Sequence, residues 1–187
     1  MSKREIILGV TGSIAIYKSL DLINRLRAKN FNVTVVMTDE AQELIRPLTF
    51  QVISGNHVYT EMFIPVGKPS ASTTLKANLA HISLADKADL ILICPATANI
   101  IGKLACGICD DLLSATVISS RAKVVICPAM NENMYKNKLV QENIAKLKKT
   151  GFKFISPVKG RLACGKVGLG HLAPLEEIAR VVIQEMK

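Results

Sequence analysis

Five short apolar runs, each separated from the next by a helical pattern, restrict this chain to a small set of folds. The runs are Arg4–Leu8, Asn32–Met37, Leu90–Cys94, Val124–Cys127 and Phe152–Ile155. Rich in Val, Ile and Leu and ended by turn residues, they read as buried strands. Helical stretches follow: apolar positions Ile16, Leu20, Ile23 and Leu26 after the first run, and pieces from Thr38 to about Ile53 after the second. A short helix spans His81–Asp86. Further helices start at Pro95–Asn99 and Asp110–Asp111, a basic one runs from about Leu139 to Lys149, and one closes the chain from Leu175 to Met186. Strand–helix alternation predicts an α/β fold with a doubly wound parallel sheet, Rossmann-like or flavodoxin-like. Pro65–Thr74 and Gly160–Gly170 read as loops from their Pro, Gly, Ser and Thr content.

At 187 residues the expectation is one domain, 1–187, with a core of its own. No apolar run approaches the ~20 residues of a membrane span. Met1–Glu5 passes straight into a strand without a signal-peptide core, so a cytoplasmic protein is expected. The formal net charge is +9, concentrated between Lys136 and Lys166, where nine basic residues face one acid, Glu142. Scarce aromatics and the lack of a recognition motif argue against nucleic acid, leaving a solvated lysine face or an anionic small molecule. The five cysteines form no disulfide framework, and Cys106 and Cys109 lack a second ligand pair for zinc. Four of them read as small core residues. Cys164 does not, because it lies in a glycine loop between Arg161 and Lys166, where positive neighbours lower a thiol's pKa.

Three strand ends carry small or polar turns: Gly12-Ser13, Thr38 and Thr97–Asn99. Turns converging at strand carboxyl ends fit a nucleotide cofactor. The strand–turn–helix around Gly9–Ala15 suits a phosphate at a helix N-terminus, although it has neither the GxGxxG pattern nor a P-loop lysine. Thr38 also reads as a helix cap. After the fourth strand comes Pro128-Ala129-Met130-Asn131-Glu132-Asn133-Met134-Tyr135. Asn131 either caps the next helix or presents its amide to a ligand carboxylate. His81, beside the strand ends, is a structural histidine or an acid, base or carboxylate partner.

Pro-x-Met-Asn-x-x-Met followed by an aromatic resembles the signature of the FMN-dependent cysteine decarboxylases. The resemblance covers nearly the whole chain. It extends to Gly9–Ser13, His81-Ile82-x-Leu84, Pro95–Asn99, Gly107-x-x-Asp110-Asp111-Leu112-Leu113 and Arg161–Gly165. It implies FMN contacts at Gly12, Ser13, Ile14, Thr38, Thr97, Ala98, Asn99, Ile100 and Ala129. It makes His81 the active-site histidine and Asn131 the residue that holds the substrate carboxylate. A clamp, about 158–171, would close over substrate with Arg161, Leu162 and Ala163, Met134 opposite, and Cys164 as reductive cysteine.

The chemistry implied is oxidation of the cysteinyl CH2–SH to a thioaldehyde, loss of CO2 to an enethiolate, and re-reduction with a proton from Cys164. Flavin supplies an electron sink that side chains lack. Members that stop at the enethiol need no reductive cysteine. Cys164 therefore favours phosphopantothenoylcysteine as substrate and phosphopantetheine as product, a step of coenzyme A synthesis. The alternatives are a peptidyl-cysteine decarboxylase, a non-catalytic regulatory flavoprotein and a flavin prenyltransferase. There are departures: Asp86 and Lys87 stand where relatives often have a basic residue, Tyr135 replaces a tryptophan, and His171 stands where arginine is often seen. Relatives form trimers or trimer-based dodecamers, so a homo-oligomer is expected. The length leaves no room for the ligase domain fused to many bacterial members, so a stand-alone enzyme is expected as well.

Overall fold

In the computed structural model the described residues are 3–63, 79–163 and 165–187. The predicted loop Pro65–Thr74 and the candidate Cys164 lie outside them. Strand β1 (Glu5–Val10) leads through a 3-10 turn (Ile14–Ile16) into α1 (Tyr17–Arg27). There follow β2 (Asn32–Met37), α2 (Asp39–Leu44), α3 (Pro47–Ser54) and a two-residue β3 (Val58–Tyr59). Then come α4 (Ala80–Lys87), β4 (Leu90–Ala96), α5 (Ala98–Cys106), α6 (Leu112–Ser119) and β5 (Lys123–Pro128). Next are α7 (Glu132–Lys136), α8 (Lys138–Lys149) and β6 (Lys153–Phe154), and the chain ends with β7 (Val158–Arg161), β8 (Val167–His171) and α9 (Leu175–Glu185).

Six strands form one sheet in the order β3-β2-β1-β4-β5-β6, and every pairing is parallel. Side chains alternate across it with a period of two. Ile6, Leu8 and Val10 join Leu22, Leu26, Ile178 and Val182 of α1 and α9 on one face. Ile7 joins Leu104, Leu113 and Ile144 of α5, α6 and α8 on the other. Helices on both faces explain why the strands read as unbroken apolar runs. Each fully buried Leu or Ile contributes about 1.5–3 kcal/mol. Among the described residues no helix is long and apolar enough to cross a membrane.

The strand order reverses between β1 and β4, the switch point outside which α/β proteins bind ligands. β4 continues through Pro95 to Ala96 rather than stopping at the proline, because its register with β5 shifts between Ile93 and Ala96. Such an irregularity spares the hydrogen bond a proline cannot donate. The predicted Gly160–Gly170 loop is instead an antiparallel hairpin, with Gly160 opposite Gly168 and Arg161 opposite Val167. The cysteine expectation is corrected too: Cys94 and Cys127 are buried, but Cys106 and Cys109 are exposed. Cys106 lies in the last turn of α5 and Cys109 in the α5–α6 turn beyond Gly107, both outside the apolar stripe of α5.

Candidate active site

The carboxyl ends of the central strands are tied together by small hydroxyl side chains. Thr11, fully buried just after β1, donates to the Pro95 carbonyl at 2.8 Å and accepts from the Thr97 amide at 3.1 Å. Ser19 of α1 donates to the Cys94 carbonyl at 2.8 Å. Ser13 donates to the Ala129 carbonyl at 3.0 Å, and the Ala129 amide donates to Ala96 at 3.0 Å. The Thr38 amide donates to Val10 at 3.1 Å, bringing the end of β2 alongside. A Cβ at Gly12 would lie 2.5 Å from that of Glu40 on α2, so only glycine lets the β1 turn approach α2 this closely.

Over this crest lies a cavity of about 690 Å³, within the size range of cofactor and substrate pockets. Its floor is built from Gly12, Ser13 and Ile14 after β1, Thr97 after β4 and Ala129 after β5. Asn131 and Met134 also line it, as do Arg161, Leu162 and Ala163 of the hairpin. Ten of the residues singled out from sequence thus share one space.

Others stand apart from it. Thr97 caps α5, accepting from the Ile100 amide at 3.4 Å, and Ile100 itself is buried in the second core cluster. Ala98 and Asn99 lie in that first turn without lining the cavity. Thr38 occupies the N-cap position of α2, but its hydroxyl makes no capping bond. That oxygen is buried without a hydrogen-bond partner. Buried polar atoms are nearly always satisfied, so this oxygen, beside the carboxyl end of β1, is an exception. His81, in the first turn of α4, does not line the cavity, and its Nδ1 is likewise buried without a partner. Lys87 is spent at the opposite end of the sheet, 3.1 Å from the buried carboxylate of Glu5.

Asn131 bears out the cap reading of the sequence and also lines the cavity. Its Oδ1 accepts from the Asn133 amide at 2.8 Å and caps α7, while the residue faces the cavity. Capping engages the acceptor end of the amide, so a carboxylate would be met by the NH2 end. The Asp110-Asp111 motif is structural. Asp111 caps α6 through the Ser114 amide at 2.8 Å, and Lys103 of α5 reaches Asp110 and Asp111, each at 2.7 Å. Burial pushes the Asp111 carboxyl up, but the hydrogen bonds from Lys103 and Ser114 outweigh it and hold it below its ordinary value.

The hairpin is docked on the octapeptide. The Met130 amide donates to the Gly170 carbonyl at 3.1 Å, and the Leu169 amide donates to the Glu132 carboxylate at 3.2 Å. Glu132 also pairs with Lys136 at 2.8 Å. The hydrogen bond from Lys136, then that from Leu169, holds its carboxyl below the ordinary range. At the turn, the Leu162 amide donates to Lys166 at 2.8 Å.

Sequence reasoning missed Thr11, Lys18 and Glu132 and left His171 without a role. Lys18, half-buried on the first turn of α1, and His171 both line the cavity. Lys18 Nζ lies 2.8 Å from His171 Nε2, and His171 Nδ1 lies 3.1 Å from the Arg161 carbonyl oxygen. The available signal was the spacing of Lys18 from the Gly12-Ser13 turn.

A family model described as Flavoprotein matches residues 1–187. This chain belongs to that family. Its cofactor class is accordingly a flavin, and the orphaned Thr38 hydroxyl and the glycine at the β1 turn fit such a group. The flavoprotein is 44% identical over 181 residues to the coenzyme A biosynthesis bifunctional protein CoaBC of Bacillus subtilis (strain 168), covering 97% of this chain and 43% of that protein. It therefore spans less than half the length of that bifunctional relative. It is also 40% identical over 185 residues to a probable phosphopantothenoylcysteine decarboxylase of Streptococcus mutans serotype c (strain ATCC 700610 / UA159), covering 98% of this chain and 99% of that one. Among solved structures, a PPC decarboxylase mutant complexed with pantothenoylaminoethenethiol superposes with a TM-score of 0.81 at 27% identity, covering 97% of each chain. The FMN-dependent cysteine decarboxylase SpaF gives 0.81 at 28% identity, over 100% of this chain and 99% of that one.

Proposed function

We propose that this flavoprotein is an FMN-dependent phosphopantothenoylcysteine decarboxylase that forms phosphopantetheine in coenzyme A synthesis. The observation that carries the reading is the single cavity in which the Gly12–Ile14 and Thr97 turns, Asn131 and the hairpin residues Arg161–Ala163 meet. Relatives bearing the decarboxylase name support the substrate.

FMN would be held by Gly12, Ser13, Ile14, Thr38, Thr97 and Ala129, with Ala98, Asn99 and Ile100 forming the helix turn behind Thr97. When bound, it supplies reversible two-electron oxidation of the substrate's CH2–SH, giving the departing carboxylate an electron sink. The protein's part is positional. The NH2 of Asn131 holds the carboxylate against the cavity wall, with its orientation locked because the other end of the amide caps α7. Met134 and Leu162 supply apolar walls, and the docked hairpin excludes water from the leaving CO2. Cys164, four residues after Gly160 and flanked by Arg161 and Lys166, delivers the final proton in this reading.

His81 belongs to the site in an assembled homo-oligomer, a trimer or a trimer-based dodecamer, where a neighbouring copy completes its surroundings. Its orphaned Nδ1, away from the cavity, supports this. So do Leu48, Val52 and Phe63, apolar side chains that are at least 66% exposed. Light scattering reads the assembly directly: a mass of three or twelve chains is expected, and a monomer would remove this part of the proposal.

The activity test is incubation of the FMN-loaded protein with phosphopantothenoylcysteine while CO2 and thiol product are followed. Stoichiometric CO2 and phosphopantetheine are expected. No turnover of that substrate, with turnover of a peptide ending in cysteine, would replace it with the peptidyl-cysteine reading.

A further inference from the structure

We propose that Glu132 is a positioning residue of the decarboxylase site: its carboxylate fixes β8 against the start of α7, so that Asn131 and the hairpin residues Arg161–Ala163 face one substrate together. The inference rests on the decarboxylase reading and deepens it. Among the described residues β7 and β8 form a sheet of two strands, so the outer edge of β8 carries backbone groups that no third strand meets. The segment after β5 meets them instead. The Met130 amide donates to the Gly170 carbonyl at 3.1 Å, and the Leu169 amide donates to Glu132 Oε1 at 3.2 Å. A Cβ at Gly168 would lie 2.5 Å from Glu132 Oε2, so the carboxylate rests directly on the β8 backbone. Glu132 does not itself line the cavity, whereas Asn131 immediately before it and Gly170 and His171 immediately after Leu169 do.

The same carboxylate pairs with Lys136 one turn further along α7, at 2.8 Å. A solvated pair within one helix contributes little by itself. The bond to Leu169 is of another kind, because it joins α7 to a strand 37 residues further along the chain. Lys159 of β7, cross-strand from Leu169, adds positive charge on the hairpin side of the carboxylate. Glu132 therefore gathers α7, β7 and β8 at one point, just outside the cavity that the hairpin and Asn131 line. Freeing β8 from α7 would remove hairpin contacts from the bound substrate and from its transition state alike. Loss of such uniform binding raises KM and leaves the chemical step on bound substrate little changed.

The test measures KM and kcat for CO2 release from phosphopantothenoylcysteine by the FMN-loaded protein. It compares wild type, Glu132→Ala, Glu132→Gln and the exchange that combines Glu132→Lys with Lys136→Glu, and follows hydrogen exchange of the Leu169 amide in parallel. Glu132→Ala is expected to raise KM about ten-fold, keep kcat within about three-fold and speed exchange at Leu169 about ten-fold. Glu132→Gln keeps an oxygen for the Leu169 amide and should stay within about three-fold of wild type in KM. The double exchange restores the helix pair but offers Leu169 no acceptor, so it should be as impaired as Glu132→Ala. An unchanged KM in Glu132→Ala, a fall in kcat without a rise in KM, equal impairment of Glu132→Gln, or rescue by the double exchange would each overturn the assignment. An unprotected Leu169 amide in wild type would do so without any variant, which covers a substitution that prevents folding. Failure of the decarboxylase reading looks different: wild type would not turn over phosphopantothenoylcysteine, while the Leu169 protection and its loss in Glu132→Ala would stand.

Discussion

Met130 and Gly170 meet backbone to backbone: the amide of one donates to the carbonyl of the other at 3.1 Å, and a Cβ on Gly170 would fall 2.1 Å from the Met130 carbonyl oxygen. Gly170 also has φ of 146°, which side-chain-bearing residues rarely adopt. Gly170→Ala is therefore expected to undock the hairpin from the octapeptide at a cost of about 1–3 kcal/mol. Trypsin should then cut faster at Arg161 and Lys166, with turnover falling at least about ten-fold, on the order of a 1.4 kcal/mol change in barrier. Unchanged proteolysis would show that the close contact does not hold the hairpin.

Asn131 caps α7 and, in the proposed function, also holds the substrate carboxylate; two variants separate these roles. Aspartate caps a helix as well as asparagine, whereas alanine forfeits about 1 kcal/mol. Asn131→Asp should keep its melting temperature and lose turnover, because it sets a carboxylate against the substrate's own. Asn131→Ala should lose both. If Asn131→Asp remained fully active, Asn131 would be a cap alone.

The orphaned hydroxyl of Thr38 predicts opposite effects on apoprotein and holoprotein. An unsatisfied buried polar group costs about 1–3 kcal/mol. Thr38→Val without flavin should melt no lower than wild type. Its affinity for FMN, followed by flavin fluorescence, should fall about ten-fold, the loss of one bond of about 1.4 kcal/mol. An equal loss of stability in both forms would assign the hydroxyl to the fold.

Cys164→Ser should release CO2 at a near-normal rate yet accumulate the unsaturated enethiol, detectable by mass spectrometry two mass units below the product. Normal product from this variant would place the proton donor elsewhere.

The Lys103–Asp111 contact should appear in the pH dependence of stability. The Asp111 carboxyl is held below its ordinary value, so its contribution is fully present above about pH 4, the unfolded carboxylate value, and is lost as pH falls through the lower folded value. Asp111→Asn should unfold more readily than wild type in urea at pH 7. The gap should close in acid, and a constant gap across pH would deny the ion pair a role.

The alternation of apolar runs and helices made the parallel sheet legible, because strands buried on both faces admit few polar residues. The hairpin was not legible. Gly160, Gly168 and Gly170 signal a loop by composition, yet they lie in paired strands, and the hairpin packs on Met130 and Glu132 more than thirty residues earlier. Local propensity has no access to such a contact. Thr38 takes the N-cap position of α2 by its backbone, yet its hydroxyl is buried and makes no capping bond, which sequence position cannot show.

By sequence alone the chain was determined to be a doubly wound α/β protein, since periodicity and turn chemistry are properties of neighbouring residues, and the flavin followed from the resemblance that its separated motifs carry. Asn131 was marked in the same way by its octapeptide. Tertiary structure decided what surrounds it. Lys18, His171 and Arg161 are widely separated along the chain, and they become one charged cluster only because β8 returns across the end of α1. Electrostatic compensation depends on distance in space, and the sequence does not carry that distance.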